Sequence, residues 1–271
     1  MSAHPSLVFL GSPEVSADVL RALVSAGHDI RLVITGADRR RGRGGATSPT
    51  PVGATAVELG LPVSHDTNDA ATCGATLGVV VAYGEIIRPH VLSVVPMVNL
   101  HFSLLPRWRG AAPVERAILS GDSETGVCVM EVVEALDAGG VYASESLPIT
   151  GDTTASSLTT ELGVIGARLL LSCLENGLGE PAPQVGEVTY AAKMTAEDRH
   201  IDWTQPNEAI LRTVRIGGAW TTWRGERFRI HDAEVVDGNI IPVSVQPAGK
   251  PKMSFEDWVR GARPDEGEWF E

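Results

Sequence analysis

Ser6-Leu7-Val8-Phe9-Leu10-Gly11-Ser12-Pro13-Glu14-Val15-Ser16-Ala17-Asp18-Val19-Leu20-Arg21-Ala22-Leu23-Val24-Ser25-Ala26-Gly27 changes its hydrophobic period midway. Ser6 to Leu10 reads as a buried strand. Ser12 then stands where an N-cap belongs, with Pro13 at the first helical position. Val15, Val19, Leu20 and Leu23 recur at helical spacing until Gly27 stops them. A strand followed at once by an amphipathic helix predicts a parallel sheet with crossover helices, and the next segments repeat the pattern. Ile30 to Thr35 reads as a second strand and Pro51 to Leu59 as a short helix closed by Gly60. Leu77 to Ala82 and Met97 to His101 read as the third and fourth strands. Ligands of open parallel sheets collect at the carboxyl ends of the strands, so Gly11-Ser12-Pro13, Tyr83-Gly84 and Asn99 with His101 are expected around one crevice.

Further on, Pro113 to Leu119 reads as helix, Thr125 to Val133 and Val141 to Ile149 as strands, and Thr153 to Asn176 as a helix ended by Gly177. The Gly/Pro-rich run from Gly177 to Gly186 is the best linker. After it come Trp203, Trp220, Trp223 and brief strands at Arg227 to Ile230 and Ile240 to Val245, which predicts a small β-rich second domain.

The chain has 271 residues, 43% hydrophobic and 21% charged, enough for two domains or one large one. No run of eighteen apolar residues occurs, and the N-terminus lacks a signal peptide's basic region and long apolar stretch, so the expectation is a soluble cytoplasmic protein away from membranes. Cys73, Cys128 and Cys173 are scattered, with no C-x-x-C spacing, and predict reduced thiols with no metal site. A net charge of −12 argues against a broadly basic nucleic-acid grip. Against that background Arg39, Arg40, Arg41 and Arg43, interleaved with Gly42, Gly44 and Gly45, form a local basic loop. It suits either a solvated surface or a mobile arm for phosphates.

Alternation along Met97 to His101 puts Asn99 and His101 on one face of the fourth strand. With Asp137 of Leu136-Asp137-Ala138-Gly139 they supply what acyl transfer to an amine needs. The transfer passes through an anionic tetrahedral intermediate, requiring a hydrogen-bond donor at its oxygen and a group that takes a proton from the attacking nitrogen. A carboxylate behind the imidazole would orient it and raise its pKa. The absence of G-x-S-x-G disfavours a serine hydrolase, and Gly42 to Gly45 lacks the spacing of a dinucleotide or P-loop phosphate site. Spacing alone leaves the bland alternatives open: a strand-end His with its hydrogen bonds satisfied and a turn Asp.

The segment from Val79 to Val141 carries Asn99-Leu100-His101-Phe102-Ser103-Leu104-Leu105-Pro106-Arg107-Trp108-Arg109-Gly110-Ala111-Ala112-Pro113, Glu124-Thr125-Gly126-Val127 and Leu136-Asp137-Ala138-Gly139. It resembles the 10-formyltetrahydrofolate-dependent formyltransferases. Asp38 to Pro51 resembles the flexible loop of those members that act on initiator methionyl-tRNA. Ala191 to Met194, Ile201 to Trp203 and Lys252 to Arg263 resemble their C-terminal domain. The resemblance implies an α/β fold, a Rossmann-like domain with a mostly parallel sheet over 1–177, a linker over 178–186 and a shortened OB-like β-barrel domain over 187–271. That last segment carries eleven Lys/Arg against fifteen Asp/Glu.

By residue match the resemblance implies that Asn99 polarises the formyl oxygen, His101 stabilises the oxyanion and assists proton transfer, and Asp137 positions His101. Tyr83, Gly84, Ile86, Ser103, Leu104, Leu105 and Pro106 would line the folate site, and Arg39, Arg40, Arg41 and Arg43 would touch tRNA. The implied reaction moves a formyl group from 10-formyltetrahydrofolate to the methionine amine of initiator methionyl-tRNA. It is carried out by a monomer without a metal and serves translation initiation. The shortened, acidic second domain keeps a small-molecule amine, such as an aminosugar nucleotide or a hydroxyornithine-like precursor, as the alternative acceptor.

Overall fold

The computed structural model describes residues 5–40, 47–265 and 267–271. The chain forms two compact units. The first takes the described part of Met1–Pro113 with Glu124–Pro148 and Thr159–Ala192; the second takes Val114–Ser123, Ile149–Leu158 and the described part of Lys193–Glu271.

In chain order the elements begin β1 (Leu7–Gly11), α1 (Glu14–Ser25), β2 (Ile30–Ile34), β3 (Arg39–Arg40), β4 (Thr47–Ser48), α2 (Pro51–Glu58), β5 (Val63–Ser64), β6 (Leu77–Val81) and α3 (Pro89–Leu92). Then follow β7 (Met97–His101), β8 (Arg109–Gly110), α4 (Pro113–Ser120), β9 (Glu124–Glu131), β10 (Val141–Pro148), α5 (Ala155–Asn176) and β11 (Tyr190–Ala191). The main sheet runs β10-β9-β7-β6-β1-β2-β5. Its five strands from β7 to β5 are parallel, while β9 and β10 are antiparallel. The mostly parallel sheet expected from the opening βα unit is therefore present, with β1 in the middle of its five parallel strands and every residue of β1 and β6 buried, as continuous apolar runs require.

One local expectation fails. α1 starts at Glu14, so Pro13 occupies the cap position without a side-chain bond. Ser12, expected as the cap, instead turns its hydroxyl to the Gly36 N–H at 3.2 Å, tying the end of β1 to the loop after β2.

Among the described residues α5 is the helix long and apolar enough to cross a membrane. Its leucines at 158, 162, 170 and 174 are buried, and a Cβ added at Gly166 would lie 2.8 Å from Leu100. Glycine there lets the helix approach β7, so core packing accounts for this face of the helix. This contact also sets the faces of β7: Leu100 turns to α5, and the alternate row Met97, Asn99, His101 turns away from it.

The second unit holds α6 (Asn207–Arg215), β12 (Trp220–Trp223), β13 (Glu226–Val236), β14 (Asn239–Pro247), β15 (Met253–Ser254) and α7 (Phe255–Ala262). The expected small β-rich domain is an antiparallel sheet of order β12-β13-β14-β15. Its core includes Ile210, Val214, Phe228, Ile230, Val245, Trp258 and Phe270. The strands extend beyond the brief runs expected because Arg224-Gly225 and Asp237-Gly238, all at positive φ, make two-residue turns that continue the pairing. Arg116 of α4 grips Asp198 with two hydrogen bonds of 2.7 and 3.1 Å.

Candidate active site

The row Met97, Asn99, His101 climbs from core to crevice. Met97 is packed into the hydrophobic cluster, Asn99 is half-buried, and His101 stands at the carboxyl end of β7 with 5% exposure. The Asn99 carboxamide makes no hydrogen bond to the described residues, leaving its N–H groups for an incoming oxygen. His101 Nε2 lies 2.9 Å from the Trp108 carbonyl, which can only accept, so the proton of the neutral ring sits on Nε2. The lone pair is then on Nδ1, 3.7 Å from Asp137 Oδ2.

Two strained backbones build this geometry. Trp108 has φ +65° and Asp137 φ +46°, values that L residues hold only when their surroundings dictate them. Trp108 is thereby aimed at His101, with the Arg107 guanidinium stacked over its ring at 4.5 Å. Asp137 Oδ2 accepts the Gly110 N–H at 2.8 Å. Gly110 itself is at φ +121°, and a Cβ there would fall 2.7 Å from the Ala191 carbonyl oxygen across the β8–β11 pair, so no other residue fits.

The pKa of His101 is lowered. Burial is the largest cause, and the Asp137 charge and the Trp108 carbonyl oppose it without overcoming it. The carboxylate pulls the value up, as expected from the sequence, but its pull is smaller than the cost of charging a nearly dry imidazole, so the net shift is downward. A neutral ring with its lone pair at Nδ1 is ready to take a proton, and Asp137 then meets the charge that appears.

Nucleophiles near the site are committed elsewhere. Cys128 pairs with His101 in the sheet register, but its thiol donates to the Ser103 carbonyl at 3.1 Å and burial pushes its pKa up. The fully buried Ser103 donates to the Arg107 carbonyl at 2.6 Å. Leu104 packs where a Cβ at Gly126 would lie, and Pro106 follows Leu105 through a cis peptide. Tyr83 is buried, its hydroxyl 2.8 Å from that of Thr67; Gly84 has φ +82°, and Ile86 is 89% exposed. Arg39 and Arg40 pair with Ser48 and Thr47 as a two-rung ladder, and Arg41 and Arg43 lie outside the described residues.

Trp108, Gly110, Arg109 and Gln184 were not singled out for roles from the sequence. Their places in the site arise from bonds spanning up to 81 residues of chain, which no local period records.

A carboxamide and a neutral imidazole with a carboxylate beside it, at the carboxyl edge of a parallel sheet and with no uncommitted nucleophile near them among the described residues, have the chemistry that direct acyl transfer needs. Residues 6–174 match the formyl transferase family and residues 193–241 match the formyl transferase C-terminal domain. The methionyl-tRNA formyltransferase of Roseobacter denitrificans is 37% identical over 97% of this chain and 98% of its own length. In fold the chain is similar to the methionyl-tRNA formyltransferase of Clostridium thermocellum, with TM-score 0.67, 15% identity, and coverage of 90% of this chain and 99% of that one. It is also similar to HypX from Aquifex aeolicus in complex with tetrahydrofolic acid, with TM-score 0.66 and 19% identity over 95% of this chain; it spans 47% of HypX. The chain belongs to the formyl transferase family.

Proposed function

We propose that this protein transfers the formyl group of 10-formyltetrahydrofolate to the methionine amine of initiator methionyl-tRNA. The observation that carries the chemistry is the Asn99, His101, Asp137 constellation, with a free carboxamide, a neutral ring and a carboxylate 3.7 Å behind it. The acceptor rests on the near full-length likeness to a methionyl-tRNA formyltransferase, and the donor on the folate that the fold's relative HypX binds.

In this reading the amine lone pair attacks the formyl carbon while the Asn99 amide donates to the oxygen as it becomes an anion. His101 Nδ1 takes the proton released by the amine, and Asp137 stabilises the imidazolium. Collapse breaks the bond from the formyl carbon to the folate nitrogen, which receives the proton from His101. Tyr83, Gly84, Ile86 and Ser103 to Pro106 form the folate side, and Arg39, Arg40, Arg41 and Arg43 contact tRNA phosphates. Residues 1–177 supply the chemistry of a monomeric enzyme, 178–186 the connection and 187–271 the acceptor-side contacts.

The test offers 10-formyltetrahydrofolate with charged initiator tRNA and with a panel of small amines in parallel. Formylation of the tRNA alone is expected. Turnover of a small amine with no tRNA product overturns the acceptor, and no transfer to either overturns the reaction.

A further inference from the structure

The connection between Gly177 and Lys193 does more than join two units. Ala182 and Val141 exchange backbone hydrogen bonds of 2.8 and 2.9 Å, the Thr189 hydroxyl accepts the Trp108 N–H at 2.9 Å, and the Ala191 carbonyl accepts the Ala111 N–H at 2.8 Å. This strap therefore crosses both loops that build the acyl-transfer site. At its middle, Gln184 is half-buried between the exposed Pro183 and Val185.

All four hydrogen bonds of the Gln184 carboxamide are directed at those loops. Nε2 donates to the carbonyls of Asp137 and Gly139, both at 2.8 Å. Oε1 accepts from Arg109 Nε at 3.0 Å and Nη2 at 2.6 Å. Arg109 immediately precedes Gly110, whose N–H holds Asp137 Oδ2. One side chain thus ties the backbone of Asp137, kept at φ +46°, to the strand whose amide fixes the Asp137 carboxylate.

We propose that Gln184 is a positioning residue for formyl transfer, clamping the Asp137 loop to β8 so that the carboxylate stays beside His101. The proposal rests on the assignment of Asp137 and His101 above. The amide is suited to this task where a carboxylate is not. It presents a donor to two carbonyls and an acceptor to a guanidinium at once, while Glu would keep the arginine partner and set an oxygen against two oxygens.

The test compares Gln184→Ala and Gln184→Glu with the unmodified enzyme in the two-acceptor assay. The expected result is a loss of kcat on the order of 10² in both, since misplacing a catalytic group by about an ångström has that effect. KM for 10-formyltetrahydrofolate should stay within about twofold, and in Gln184→Ala the acid limb of kcat/KM should move to lower pH as His101 loses part of the Asp137 charge. An active Gln184→Glu enzyme overturns the proposal, because Glu satisfies Arg109 and a merely structural tether would be kept. So does a Gln184→Ala loss that tracks the folded fraction in thermal melts with an unmoved pH limb. Failure of the unmodified enzyme on both acceptors instead indicts the assignment of the reaction, which separates the two outcomes.

Discussion

Replacing Asp137 by Asn removes the charge behind His101 and changes little else. The Asn oxygen still accepts the Gly110 N–H that Asp137 holds at 2.8 Å, so the loop keeps its anchor. What disappears is the interaction between a carboxylate and the imidazolium formed during transfer, 3.7 Å apart. At an effective dielectric of about 20 that attraction is about 4.5 kcal/mol. The carboxylate is 15% exposed, and water there reduces the figure. Taking between half and the whole of it, kcat should fall by about 50-fold to about 2 × 10³-fold.

The same substitution has a signed pH effect. His101 acts as a neutral base, so kcat/KM rises as pH climbs through its folded pKa, which lies below the ordinary 6.5. Asp137 is the charge that pulls this value up against burial, so removing it moves the acid limb to still lower pH. Steady-state rates with saturating 10-formyltetrahydrofolate from pH 5 to 8, alongside a thermal melt, read both effects. A loss under about tenfold, or an acid limb that moves upward, would refute the assignment of Asp137 as partner of the charged ring.

Asn99→Ala should lower kcat by about 10²- to 10³-fold through loss of the oxyanion donor, with KM values nearly unchanged; a change confined to KM contradicts that role. Gly110→Ala forces a Cβ to 2.7 Å from the Ala191 carbonyl oxygen at φ +121°. It should cost about 1–3 kcal/mol in chemical denaturation, with activity lost more steeply than stability. In the second unit, Arg116 is the main cause that holds Asp198 at about 2, with Thr195 assisting. A lowered carboxyl pKa contributes stability that is fully present above the ordinary carboxylate range and is lost as pH falls towards about 2. The advantage of the unmodified protein over Arg116→Met should therefore be level above about pH 4 and shrink below it in acid denaturation monitored by circular dichroism.

How far the sequence carried the fold depends on the range of the forces at each position. β1 and β6 were legible because burial of an entire strand needs an unbroken apolar run, β7 because Met97 to His101 alternates, and α5 because Leu158, Leu162, Leu170 and Leu174 keep one helical face. β9 and β10 were legible as strands, but their antiparallel direction was not, since direction is set by pairing and leaves no local pattern. In the second unit Arg224-Gly225 and Asp237-Gly238 were readable turn signals: Gly is the residue that takes positive φ freely, and it follows a polar residue between two strand runs. Reading them would have lengthened the strands to their observed extents.

The site divides along the same line. Asn99 and His101 could be placed together because a strand of period two requires it. Asp137 could be grouped with them by its chemistry, but spacing left it open as a turn residue and only the resemblance set it beside His101. Its place depends on Trp108 and Asp137 holding positive φ, on β8 and β11 pairing over two residues each, and on one glutamine amide satisfied at every atom. Each of these is stable only when the others are formed, since an isolated positive φ in a non-glycine residue is unfavourable by about 1–3 kcal/mol and a lone two-residue pairing does not persist. The constellation is thus a cooperative property of three distant segments. This is why the near-isosteric Gln184→Glu substitution, which keeps the side chain's shape and exchanges two donors for a charged acceptor, probes the site more sharply than any truncation of its core.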